Sequence, residues 1–186
     1  MMDKILVALD CSENDRSIFD TAVSLAKFTS ASLMLLHILS ERDPDYPKLP
    51  TYAYYSVLKD SENGMFQTKF AEYEQKKINF LKDLVREAMA IGIDTEYAQF
   101  SGIPGCEICE MASLWSADLI LVGSRGLEGL KEMFLGSVSN YVTHHAPCSV
   151  LIVRTNSNTY SNSTGDRQIQ NFALYSIAER CGLWRC

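Results

Sequence analysis

The sequence lacks long hydrophobic runs and basic clusters. Across its 186 residues no apolar stretch approaches the roughly 18 residues of a membrane-spanning helix. Lys and Arg number 17 against 23 Asp and Glu, and the formal net charge of −6 would repel a nucleic-acid backbone. The first apolar run begins at about Lys4, which leaves no room for a secretory leader. We therefore expect a cytoplasmic protein with neither a membrane nor a nucleic acid as its partner.

Recognisable catalytic motifs are also missing. The chain has no Gly-x-Ser-x-Gly elbow, no Walker Gly-x4-Gly-Lys-(Ser/Thr) loop and no protein-kinase signature. No nucleophile and base are evident from their spacing. The sequence therefore favours binding over fast turnover, and the question of an enzymatic activity stays open.

Six cysteines are present, but no second Cys or His pair of matching spacing accompanies Cys106 and Cys109 to complete a zinc site. In a cytoplasmic chain we expect them to be reduced thiols rather than disulfides. Cys106 and Cys109 lie near a predicted helix N-terminus, where a thiolate would be stabilised, so a redox pair is one hypothesis. Two structural thiols are the alternative, because a thioredoxin-like motif would follow an early strand with its own partner residues.

Apolar runs and helical patterns alternate along the chain. Nearly continuous apolar runs, typical of parallel strands buried on both faces, occupy residues 5–9, 33–39, 119–122 and 150–153. Residues 95–100 mix polar and apolar side chains, which is typical of an edge strand. Amphipathic stripes predict helices around residues 18–26, 66–88, 104–115 and 138–145, with Ser12 or Asn14 capping the first. One α/β domain follows, with right-handed crossovers and ligands at the carboxyl ends of its strands.

A glycine pattern follows the apolar run of residues 119–122. Two residues separate Gly123 from Gly126, nine separate Gly126 from Gly136, and Ser137 comes directly afterwards. Glycine permits positive φ and a close approach of backbone N–H groups to an anion, and a helix opening at Ser137 would attract phosphate through its dipole. The segment predicts a phosphate-binding loop for a nucleotide. The alternative is a tight turn with a helix cap and no ligand.

This pattern resembles the Gly-x2-Gly-x9-Gly-(Ser/Thr) motif of the ATP-binding subclass of the universal stress protein family. The resemblance extends from residue 4 to residue 154. It implies an adenine nucleotide alpha hydrolase-like fold, a three-layer α/β sandwich with a five-stranded parallel sheet of order 3-2-1-4-5, over a domain of residues 1–154. It also implies a regulatory role in the stress response, with ATP or another adenine nucleotide as cofactor and Mg²⁺ held through the phosphates.

The same resemblance implies a site at the ends of the first and fourth strands. Asp10 would lie on the nucleoside side, where a carboxylate accepts hydrogen bonds from ribose or helps to position a phosphate-bound cation; a cap of the following helix is the alternative. The backbone of Ile38 would meet adenine, and Arg125 would reach the phosphates or be a solvated loop arginine. The complete set is Ala8, Asp10, Ile38, Val122, Gly123, Arg125, Gly126, Gly136, Ser137, Val138 and Ser139.

Other functions remain open at this point. They are a slow ATPase, a sensor of AMP or a cyclic nucleotide, and a nucleotide-free interaction module. The resemblance also implies a homodimer through the edge of the fifth strand, residues 149–153.

Two segments depart from the regular alternation. Residues 41–65 contain three prolines and no clear period, so we expect a long surface loop. Residues 155–186 begin with a polar stretch rich in Asn, Ser and Thr, and they predict a linker and a weakly ordered or docking tail. An apolar stripe predicts a short helix over residues 169–177 of that tail.

Overall fold

A computed structural model describes residues 2–12, 15–48, 60–124, 135–154 and 174–175. Strands and helices alternate, as the apolar pattern predicts. The strands are β1 (Lys4–Leu9), β2 (Ser32–Leu39), β3 (Thr95–Ser101), β4 (Leu119–Ser124), β5 (Ser149–Arg154) and β6 (Leu174–Tyr175), and the helices are α1 (Asp15–Thr29), α2 (Asp60–Ala90), α3 (Pro104–Trp115) and α4 (Ser137–His145). No helix in the described part of the chain is both long and apolar enough to cross a membrane.

The first five strands form a parallel sheet in the order β3-β2-β1-β4-β5, which confirms the predicted fold. Val7 of β1 pairs with Leu35 of β2 on one side and with Leu121 of β4 on the other. The chain runs outward from β1 to β3 and then crosses to the opposite side of β1. Helix α1, which follows β1, and helix α4, which follows β4, pack on opposite faces of the sheet, and this arrangement opens a crevice at its carboxyl end.

The sheet is covered on both faces, which explains the nearly continuous apolar runs of its central strands. On one face Ile5 and Val7 pack with Phe19 of α1 and Leu81 of α2. On the other face Leu6 packs with residues of α3 and α4. Alternate side chains of one strand therefore enter different cores, giving a three-layer sandwich.

The outer strand β3 has the mixed pattern expected at an edge. Thr95 is buried, whereas Glu96 and Tyr97 are exposed, and β3 pairs only with β2 among the described strands. The prediction of an edge strand for residues 95–100 is confirmed.

Two sequence predictions need correction. Helix α2 begins at Asp60, so the last six residues of the predicted loop 41–65 are helical. The predicted helix over residues 169–177 is wrong at Leu174 and Tyr175, which form the short strand β6 antiparallel to β5. Backbone pairing with an open sheet edge prevails there over the helical spacing of the apolar residues.

Candidate functional site

A cleft of about 780 Å³ opens at the carboxyl end of the sheet. The ends of β1, β2 and β4, the first turns of α3 and α4 and the segment that follows β2 all contribute to its walls. Nine residues of the predicted set line it: Ala8, Asp10, Ile38, Val122, Gly123, Gly136, Ser137, Val138 and Ser139. Arg125 and Gly126 lie outside the described residues. The structure thus brings the nine together, and their contacts with a ligand stay predictions.

One wall of the cleft is apolar. Ala8 and Leu36 are register partners in β1 and β2, and both face the layer of α3 and α4. Ile38, Val122 and Ile108 of α3 continue this wall. The mixture of an apolar wall and a few polar groups is typical of sites for small organic ligands.

The opposite end of the cleft is the N-terminus of α4. The N-cap residue Gly136 makes no side-chain capping hydrogen bond, so the first-turn N–H groups have no side-chain acceptor at the cap. Ser139 is buried, and its hydroxyl donates to the Gly123 carbonyl over 2.7 Å, which ties α4 to the end of β4. The helix dipole and these amides suit an anion.

The conformations of the two described glycines of the motif correct one part of the sequence argument. Gly123 belongs to β4, and Gly136 has φ −58° and ψ 155°, which are open to other residues. Neither has the positive φ that we expected. Positive φ therefore does not explain glycine at these two positions, and close approach of a ligand to the backbone stays a prediction.

The turn after β1 brings two carboxyl groups together. The Asp10 carboxylate accepts a hydrogen bond from the Ser12 amide at 3.1 Å, and Asp15 Oδ2 accepts one from the Cys11 amide at 2.7 Å. Cys11 adopts a left-handed conformation with φ 58°. Ser12 does not cap α1 through its side chain, because its buried Oγ has no hydrogen-bond partner among the described residues. Asn14, the other predicted cap, lies outside them.

Asp15 is almost completely buried, with 1% of its surface exposed. Burial raises the pKa of its carboxyl group to about 7, and the charge of Asp10 acts in the same direction. The sequence analysis missed Asp15. Its position in the first turn of α1 could have drawn attention to it, but burial beside Asp10 could not be inferred from spacing.

A buried ion pair also lines the cleft, and neither of its residues is among the predicted site residues. Lys77 Nζ lies 2.9 Å from Asp43 Oδ2, with 5% and 15% of the two side-chain surfaces exposed. The Tyr73 hydroxyl donates to the same oxygen over 2.9 Å. Burial alone would raise the pKa of Asp43, but hydrogen bonds led by that from Lys77 hold it below its ordinary value. The polar centre of α2 was the available signal.

Of the two thiols of α3, Cys109 gives no support to the redox hypothesis. Burial raises the pKa of Cys109 to about 11, and the neighbouring Cys106 contributes in the same direction. A thiol of raised pKa is a poor source of thiolate. Both cysteines are free and partly buried, which suits structural thiols.

The acidic and basic side chains around the cleft are nearly balanced in number. Its described lining contains Asp10, Asp15, Asp43 and Asp45 against Arg42, Lys76 and Lys77. No group of three His, Cys, Asp or Glu side chains in the described ranges is arranged to hold a metal ion.

Comparison with known proteins identifies the family. The sequence model described as the universal stress protein family matches residues 1–154. The chain is 36% identical over 151 residues to universal stress protein Sll1388 of Synechocystis, covering 81% of this chain and 97% of that protein. It is 35% identical over 154 residues to universal stress protein YxiE of Bacillus subtilis, covering 83% of this chain and all of that protein.

Solved structures agree with the fold. The hypothetical protein MJ0577 superposes with a TM-score of 0.63 at 26% identity, covering 85% of this chain and 99% of that one. A universal stress protein in complex with cAMP gives a TM-score of 0.55 at 24% identity, over 83% of this chain and 98% of that one. An Arabidopsis thaliana family member with AMP bound gives 0.54 at 20% identity, over 83% and 93% of the two chains. The chain has their adenine nucleotide alpha hydrolase-like fold, and it belongs to the universal stress protein family.

Proposed function

We propose that this chain is a regulatory protein that binds an adenine nucleotide, ATP with Mg²⁺, in the cleft above β1 and β4. The observation that carries the proposal is the cleft itself. It lies at the point where strand order reverses, with an apolar wall at one end and the uncapped N-terminus of α4 at the other. Related structures with cAMP and AMP support the adenine nucleotide as the ligand class.

The apolar wall would take the adenine ring. The backbone of Ile38, at the end of β2, would read the edge of the base, while Ala8 and Val122 contact its face or the ribose. Asp10 would accept hydrogen bonds from the ribose hydroxyls, because its carboxylate lines the cleft at the end of β1. The buried Ser12 Oγ, which has no partner among the described residues, is a further donor that a ligand could satisfy.

The phosphates would lie against the motif. Amides of Ser137, Val138 and Ser139 in the first turn of α4 are oriented as anion donors, and Gly136 leaves the approach open. Gly126 and Arg125 would complete the cradle from the intervening loop. Mg²⁺ would be held through the phosphate oxygens and would offset part of their negative charge.

The described residues provide binding groups rather than an obvious catalytic set. Asp10 and Asp15 already hydrogen-bond the turn after β1, and the Ser139 hydroxyl is directed at a carbonyl. A sensor of AMP or a cyclic nucleotide is the second candidate, favoured by the ligands of the related structures. A slow ATPase and a nucleotide-free dimeric module remain as further alternatives.

Two measurements test the proposal. Mass spectrometry of small molecules released from gently purified, denatured protein should find an adenine nucleotide. Titration calorimetry with ATP, AMP and cAMP, each with and without Mg²⁺, should show the tightest binding for ATP with Mg²⁺. Tighter binding of AMP or cAMP would favour the sensor, and no binding of any of the three would overturn the proposed function.

A further inference from the structure

Residues 40–46, which we name the exit segment, follow β2 and form part of the cleft wall. Two backbone hydrogen bonds fold the segment into successive turns: the Asp43 amide donates to the Ser40 carbonyl at 2.9 Å, and the Tyr46 amide donates to the Asp43 carbonyl at 3.0 Å. Oδ1 of the Asp43 carboxylate also accepts the Asp45 amide at 2.9 Å. Local hydrogen bonds of this kind shape a turn, but contacts with another element decide where the turn lies.

Helix α2 provides those contacts. The second carboxylate oxygen of Asp43, Oδ2, accepts from Lys77 Nζ and from the Tyr73 hydroxyl, both at 2.9 Å. The Tyr46 ring packs edge-on against the rings of Phe70 and Tyr73, with the centroids 5.7 Å apart in each case. Phe70, Tyr73 and Lys77 are spaced three and four residues apart, so they share one face of the helix. One carboxylate therefore shapes the exit segment and joins it to α2.

The burial of Lys77 is not explained by stability alone. Its side chain is almost fully buried, and removing an ammonium and a carboxylate from water offsets most of the gain from their attraction. A pair of apolar residues of similar volume is often no less stable at such a position. What the ion pair adds is direction, because Nζ must meet Asp43 Oδ2 at hydrogen-bond distance, whereas apolar side chains accept many placements.

We propose that Lys77 and Tyr73 are positioning residues of the nucleotide site, which act through Asp43 to hold the exit segment as a fixed wall beside the nucleoside. The inference rests on the proposed function, in which the backbone of Ile38, two residues before the segment begins, meets the base. A wall that is already ordered spares the ligand the conformational entropy of fixing it. Releasing the exit segment from α2 should therefore weaken nucleoside binding, although both donors are committed to Asp43.

The first measurement is the order of the exit segment in the full chain without ligand, at a temperature where circular dichroism shows every variant to be folded. Nitrogen-15 relaxation should give backbone order parameters of about 0.85 for the Asp43, Asp45 and Tyr46 amides of the wild-type protein, and below about 0.6 in Lys77→Met. Lys82→Met is the matched control, because Lys82 is an exposed lysine of α2 outside the cleft lining. Its order parameters should equal those of the wild-type protein.

The second measurement is adenosine binding by titration calorimetry, because adenosine lacks the phosphates that α4 would hold. We expect the affinity to fall by about tenfold or more in Lys77→Met and by about threefold or more in Tyr73→Phe, and to be unchanged in Lys82→Met. Tyr73→Phe keeps the ring that packs on Tyr46 and keeps the ion pair, so it supplies both readouts if Lys77→Met does not fold.

The outcomes separate the two proposals. Unchanged order parameters, unchanged adenosine affinity in the folded variants, or an equal loss in Lys82→Met would overturn the positioning role and leave the proposed function intact. A wild-type protein that binds ATP but not adenosine would also overturn the positioning role alone, because the nucleoside would then contribute little to binding. Binding of neither ligand by the wild-type protein would overturn both proposals.

Discussion

Removing the buried cation at Lys77 should destabilise the domain far more than removing its neighbour on the same helix. In Lys77→Met the apolar stem is replaced at similar volume, but Asp43 loses its cation while 85% of its side-chain surface remains buried. Breaking a buried pair by removing one partner costs about 3–5 kcal/mol, and the partial exposure of Asp43 places this case near 3. In a domain of this size that corresponds to a fall in Tm of about 6–12 °C.

The assay is thermal and urea unfolding at pH 7, with Lys76→Met as the matched control. Lys76 is adjacent and pairs with Asp45 at 3.6 Å, but 74% of its side chain is exposed, so its loss should cost no more than about 1 kcal/mol. The double variant Lys77→Met/Asp43→Asn should recover part of the loss, because it leaves no unpaired charge. Equal costs for Lys77→Met and Lys76→Met would refute the reasoning.

The pH dependence adds a second readout. The pKa of Asp43 is lowered in the folded protein, so its pairing contributes stability at neutral pH that is lost as pH falls through that lowered pKa. The difference in the free energy of unfolding between the wild-type protein and Lys77→Met should therefore become smaller at acid pH. A constant difference from pH 7 to pH 3 would show that the lysine acts through packing alone.

Four further predictions follow from the cleft and the sheet edge. Gly136→Val should weaken ATP binding by more than about tenfold, or roughly 1.4 kcal/mol, with little change in Tm. The backbone at φ −58° accepts valine, but the valine side chain would obstruct the phosphates. An unchanged ATP affinity in calorimetry would contradict this prediction. ATP turnover should stay below about one per second in single-turnover assays, and Asp10→Asn should abolish most of it in a slow ATPase; several turnovers per second would identify an enzyme. Asp15→Asn should stabilise the protein by up to about 4 kcal/mol above pH 7 and should leave its stability unchanged below pH 4. The reason is that the Asp15 carboxyl group, whose pKa is raised in the folded protein, removes stability as the pH rises through about 7. A stabilisation that does not depend on pH in urea unfolding would contradict this prediction. A chain ending at Arg154 should dimerise through β5 more strongly than the full chain, because β6 pairs with the edge of β5 in the full chain. Light scattering that finds only monomers of the truncated chain and of the full chain would exclude the dimer.

Much of the fold could be predicted from the sequence because the relevant signals are local. The run of residues 33–39 is apolar except for His37 because the strand is buried on both faces. Pro104 begins a helix because its missing N–H is not needed there. The glycine spacing identified where α4 begins and which strand ends face it. Alternation of strand and helix, with the right-handed crossover rule, then located the cleft.

Sequence alone thus determined the order of elements, the buried strands and the helix N-terminus at one end of the candidate site. Tertiary structure decided which polar side chains are buried together. Asp43 and Lys77 come from a loop and a distant helix, and Asp15 meets Asp10 only because the turn after β1 reverses the chain. Local periodicity reports which face of an element is apolar, whereas burial and pairing of charges depend on segments that the fold alone brings together. The same limit applies to β6, because the helical spacing of residues 169–177 contains no information about an open strand edge at β5.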